Sequence, residues 1–127
     1  MIADGAALLR HLDDARWDVS AAFWYCEDET NRWRLRIAAP EVDSKGVRHG
    51  YLRMIQALAE LDPGPKDITL DDITVMSTTD RLVMLLSSYV STGKSIRSIR
   101  VGQGAIQGQY VEDTFIYRMN AGVAASG

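Results

Sequence analysis

Three arginines at alternate positions, Arg32, Arg34 and Arg36, are the residues best placed to bind something. A guanidinium grips phosphate or carboxylate through two parallel hydrogen bonds and also stacks on aromatic rings. In a strand, alternation puts all three on one face. The run before them, Val19 to Glu27, supplies Phe23 and Tyr25 at the same spacing. Aromatic rings beside basic side chains on a sheet are one way proteins hold single-stranded nucleic acid. Three readings are open for the face made by Phe23, Tyr25, Arg32, Arg34 and Arg36. It is a solvated surface in which Arg34 packs on Tyr25 and Arg32 pairs with Glu27. It meets a protein partner, since arginine and aromatics are enriched at interfaces. Or it binds nucleic acid or another phosphate ligand.

Other chemistries find less support. Ser91-Thr92-Gly93-Lys94-Ser95 ends like a phosphate-binding loop, but Ser88 stands where that pattern needs glycine. A helix also precedes it, where a strand is required. Cys26 and His49 could form a thiol–imidazole pair. Cys26 shares a strand face with Trp24, however, which suits a buried, inert thiol. His11 and His49 each lack a second histidine or cysteine at ligand spacing, so no metal is expected. Acid pairs occur at Asp13-Asp14, Asp71-Asp72 and Glu112-Asp113. Paired-carboxylate hydrolysis needs two carboxyls converging across a cleft, and adjacency does not supply that. The expectation is no catalytic residue and no cofactor, the alternative being an enzyme whose site converges only on folding.

The elements that carry these residues start with a β-hairpin. Val19–Glu27 and Arg32–Ala39 flank the polar cluster Asp28-Glu29-Thr30-Asn31. With Glu29 and Thr30 at the turn, Glu27 faces Arg32, Cys26 faces Trp33, Tyr25 faces Arg34, Trp24 faces Leu35 and Phe23 faces Arg36. The opposite face, with Ala22, Trp24, Cys26, Trp33, Leu35 and Ile37, forms a core. Before the hairpin, Ala3–Arg16 reads as a helix with Leu8, Leu9, Leu12 and Ala15 as its stripe. Asp13 and Asp14 oppose the helix dipole and should fray its end.

Pro40 closes the second strand. A second helix spans about Ser44–Leu61, with Val47, Tyr51, Met54, Ile55, Leu58 and Leu61 on its apolar face. Gly46 marks its true start near Val47, and Gly50 has no evident role. Asp62-Pro63-Gly64-Pro65 breaks the chain. A third strand lies within Ile68–Met76. Ser77-Thr78-Thr79-Asp80 opens a third helix that reaches about Val90, with Gly93 as its stop. The strands Ile96–Val101, Ala105–Val111 and Thr114–Met119 complete the order α-β-β-α-β-α-β-β-β. This is an α+β pattern: a mostly antiparallel sheet of five to six strands with three helices packed on it. Any parallel pair should form around the third helix. Residues 1–119 read as one domain and 120–127 as a flexible tail.

Leu58, Leu85 and Leu86 are expected to share the core of Trp24. The chain has 127 residues and a formal charge of −3, without the basic excess of a dedicated nucleic-acid binder. The charge is segregated, however. Residues 32–66 hold seven bases and four acids, while residues 67–80 hold four acids and no base. Such alternation favours self-association. No apolar run is long enough for a membrane helix, and the N-terminus lacks a secretory leader. One cysteine points to a reducing cytoplasm. The expectation is a non-catalytic, cytoplasmic interaction protein: an accessory subunit, adaptor or homo-oligomer, at least dimeric and not membrane-bound.

Overall fold

The computed structural model describes residues 2–27, 31–61, 64 and 67–120. Its centre is a five-stranded mixed sheet of order β3-β2-β1-β7-β4. The strands are β1 (Ala21–Glu27), β2 (Arg32–Ala38), β3 (Ile73–Met76), β4 (Ile99–Val101) and β7 (Thr114–Met119). Between β4 and β7, β5 (Gly104–Ile106) and β6 (Gln109–Val111) make a separate two-stranded sheet. The class is α+β. The β1–β2 register matches the alternation, pairing Glu27 with Arg32 through to Phe23 with Arg36. The turn residues Asp28, Glu29 and Thr30 lie outside the described residues, as does the tail beyond Asn120.

The sheet is not organised quite as the element order implies. Its parallel pair is β2–β3, not a pair built around the third helix. The crossover between them carries two helices, α2 (Pro40–Lys45) and α3 (Val47–Glu60), divided by Gly46 at φ +95°. Pro40 therefore does more than end a strand. It occupies the first helical turn, where its missing N–H costs nothing. The expected strand at Ile68 begins only at Ile73, after a 3₁₀ turn at Leu70–Asp72. Asp72 accepts from the Thr69 N–H at 3.0 Å and closes that turn.

Both faces of the sheet are covered, so there are two cores. One lies under α1 (Ile2–Asp14), α2 and α3 and holds Leu8, Leu9, Leu12, Trp24, Leu35, Ile37, Met54 and Tyr117. The other lies under α4 (Arg81–Ser87) and the β5–β6 hairpin and holds Phe23, Val83, Leu86, Ile106, Val111 and Ile116. Leu58 packs on the first core, whereas Leu85 and Leu86 belong to the second, so they do not share the core of Trp24. Trp33 is only partly buried.

The third helix is shorter than its apolar pattern. Asp80, not a hydroxyl, caps α4 by accepting from the Leu82 N–H at 2.9 Å. The hydroxyls of Ser77 and Thr78 donate to Asp43 instead, which ties α2 to this turn. Gly93 has φ +64° but lies in the loop well beyond Ser87. The stretch Ala105–Val111 resolves into a hairpin because Gln107 and Gly108 both take positive φ, the geometry of a tight two-residue turn.

Candidate functional site

The arginine face exists, but in a different state from a bare docking surface. Phe23 is 0% exposed and sits in the core beneath α4. It is therefore unavailable to any ligand, a correction to the expected face. Arg32 is exposed, while Tyr25, Arg34 and Arg36 are half-buried, and the arginines are largely engaged by nearby groups. Arg34 Nε lies 2.9 Å from Glu27 Oε1, and its Nη1 donates to the Asp71 carbonyl at 2.8 Å. Arg32 reaches Asp72 Oδ1 at 3.0 Å. The guanidinium of Arg36 lies 5.1 Å from the centre of the Tyr25 ring. The aromatic and acidic partners are those expected, but shifted along the strands: Arg36 stacks on Tyr25, and Arg34 pairs with Glu27.

These contacts give the face a structural task. Arg32 and Arg34 both hold the turn at Asp71-Asp72, which starts the edge strand β3. The inner end of the face is less settled. Arg36 Nε and Glu112 Oε1 are both buried and have no hydrogen-bond partner. The backbone N–H of Glu112 donates to the Tyr25 hydroxyl at 3.0 Å, so the Glu112 backbone and the Arg36 guanidinium both meet the Tyr25 side chain.

The other candidate groups are dispersed. Cys26 is buried, with its Sγ 3.3 Å from Asn31 Oδ1. His49 does not meet it. Instead, His49 Nε2 lies 2.8 Å from Glu41 Oε2, the oxygen that also accepts from the Trp17 indole N–H. These hydrogen bonds, His49 first, hold the Glu41 carboxyl below its usual range. His11 pairs with Glu60 at 2.9 Å and joins α1 to α3. Among the described residues, no three His, Cys, Asp or Glu side chains gather into a metal-binding group. Among them too, no helix is long and apolar enough to cross a membrane.

Two features escape a strand-by-strand reading. The first is the outer surface of α3. Gly50, Met54 and Ala57 face inward, while Val47, Leu52 and Ile55 are 46%, 57% and 48% exposed. Val47 and Ile55 are thus not core residues. The reason is close approach: a Cβ on Gly50 would sit 2.9 Å from Val42 Cγ2 and nearer still to Val75 Cγ1. The helix lies tightly on the sheet at Gly50 and Ala57, and Val47, Leu52 and Ile55 turn outward.

The second is an open cavity of about 400 Å³ at the end of α1, lined by Asp13, Arg16, Trp17, Asp18, Lys94 and Arg118. Arg118 grips Asp13 with both terminal nitrogens, at 2.9 and 2.7 Å. The pair fixes the helix end that the sequence suggests should fray. Lys94, from the loop that resembles part of a phosphate-binding motif, reaches the same cavity. Only the folded chain reveals this, because Arg16, Lys94 and Arg118 come from three distant stretches.

Comparison with known proteins finds no matching family model, no similar curated protein and no similar solved structure.

Proposed function

We propose that this chain is a non-catalytic interaction module that pairs with a second copy of itself through α3, with the cytoplasm as its setting. The carrying observation is the exposed arc of Val47, Leu52 and Ile55 on a helix whose opposite side is tightly packed. Apolar residues left out in this way favour association, since pairing removes them from water.

The charges on α3 favour an antiparallel twofold pair. The helix has no acid in its first turn and no base in its last. Instead Arg48 stands near the positive N-terminal end and Glu60 at the negative C-terminal end. Each is on the wrong side of its own helix dipole. In an antiparallel pair, Arg48 of each copy runs beside the C-terminal end of the other. One self-complementary patch related by a twofold axis is the commonest soluble arrangement. A single helix about 21 Å long is a small contact, so the dimer should be dynamic rather than permanent.

Light scattering across a concentration series tests this reading. The 14.1 kDa chain should approach twice its mass as concentration rises. Leu52→Glu with Ile55→Glu should hold it at the monomer mass while leaving its circular dichroism unchanged. A wild-type chain that stays monomeric throughout would refute self-association.

The second reading is an anion-binding role for the arginine face. It is favoured by one observation: the unpartnered Arg36 Nε beside Tyr25. Substituting Arg34 and Arg36 would separate this role from the dimer, because neither residue lies on α3.

A further inference from the structure

The end of α1 carries an unusual residue. The N–H of Trp17 bonds back to the Leu12 carbonyl, and the N–H of Arg16 to the Asp13 carbonyl, both at 2.9 Å. That double closure is the common glycine-terminated helix stop, with its left-handed position filled here by Arg16 at φ +61°. A side chain with a Cβ is disfavoured in this conformation, and glycine is not. The strained backbone brings the Arg16 side chain to the wall of the cavity.

The cavity has a second feature that points to a ligand. Arg118 lines it with a side chain only 4% exposed, yet its Nε has no hydrogen-bond partner. Its other two nitrogens are engaged, by Asp13, the Val19 carbonyl and the Lys94 carbonyl. Arg118 and Asp13 therefore cancel each other's charge. Arg16 and Lys94 make no ion pair among the described residues. Asp18 is the one further acid on the wall. Three cations against two acids leave the lining net positive, and the uncommitted groups are mainly cationic.

We infer that this cavity is a binding site for a small phosphate-bearing molecule. Arg16 and Lys94 hold the phosphate from two sides, since guanidinium and ammonium are both strong donors to phosphate oxygens. The Arg118–Asp13 pair adds no net charge but fixes the helix end that carries Arg16. About 400 Å³ is more than a bare ion needs and lies within the range of small-molecule sites. Trp17 provides an apolar wall for the rest of the ligand, and Asp18 accepts from any hydroxyl or amine it carries. This site is separate from α3, so its occupancy does not depend on the proposed dimer.

Pyrophosphate is the probe, titrated at matched ionic strength against sodium chloride, with thermal melting and tryptophan fluorescence as readouts. The wild type should show a saturable rise in melting temperature that chloride does not reproduce. Arg16→Gly relieves the left-handed strain, so its melting temperature without ligand should rise by a few degrees. Its pyrophosphate affinity should nevertheless fall about tenfold, the factor expected for one charge-assisted hydrogen bond. Lys94→Ala should lose a similar factor with no gain in stability. Wild-type affinity in both variants would overturn the site. So would a wild-type response no larger than that to chloride, or saturable binding of citrate with none of pyrophosphate.

Discussion

Tyr117 makes a buried polar contact in the core under α1, α2 and α3. Its hydroxyl accepts from the Trp24 indole N–H at 2.8 Å and donates to the Ile2 carbonyl. Burial pushes its pKa up to about 12. Tyr117→Phe would leave a buried indole N–H without an acceptor, at a cost of about 1–3 kcal/mol in urea unfolding at pH 7. The pH dependence has a definite sign. The phenol ionises near pH 10 in the unfolded chain and only near 12 in the fold. Its stabilising effect is complete below pH 10 and is lost as pH rises through that interval. The phenylalanine variant should lack this particular loss between pH 10 and 12. Trp24 is legible as a core residue because alternation along β1 fixes its face. Its partner is not legible, because the two are 93 residues apart. Arg118 is hidden for the same reason: nothing near it in sequence shows that Asp13 will meet it.

At the scale of elements, α3 shows how packing can override the larger apolar arc. Volume and hydropathy favour burying Val47 and Ile55 along with Tyr51 and Leu58, but only the latter two pack on the core. The arc with Gly50 and Ala57 faces the sheet, because small residues allow the backbone closer. Gly50→Ala is therefore a sharp test. Helix propensity alone would favour alanine by about 1 kcal/mol. The added Cβ meets Val42 and Val75, and such overpacking typically costs about 1–3 kcal/mol. The substitution should lower stability in chemical denaturation, and Val75→Ala in the same chain should restore part of it. The β1–β2 hairpin was the most legible element, because two long alternating strands specify their own register. Strands β4, β5 and β6 have three residues each, too short for alternation to define their ends. The arginine face was legible as a set of side chains but not in its surroundings, since nothing in β1 shows that α4 will cover Phe23.

Across the whole molecule, carboxylates act as ties between elements. Glu41 links α2 to Trp17 and His49, Glu60 links α3 to His11, and Asp43 joins α2 to the turn before α4. Asp72 closes the turn before β3 and takes Arg32, and Asp113 takes Arg100. All five ionise more readily in the fold than as free side chains. At Asp43 and Asp72 burial opposes ionisation, but hydrogen bonds outweigh it. At Glu41, Glu60 and Asp113 the hydrogen bonds from His49, His11 and Arg100 dominate. Their contribution is complete above the ordinary carboxylate range and fades as pH falls below about 4. Circular dichroism followed down a pH series should show cooperative acid unfolding in that region. Asp43→Asn should be less stable at pH 7 and show a shallower acid slope.

The place of β7 in the sheet has a consequence in time. It is the last strand among the described residues, yet it lies between β1 and β4. Until it emerges, β1 has a hydrogen-bonding edge with nothing beside it, and both cores lack residues that complete them: Tyr117 on one side, Ile116 and Met119 on the other. A nascent chain can form the β1–β2 hairpin early, but neither core is complete before β7 emerges. Closing the sheet therefore requires a late segment to dock into the middle of an early one.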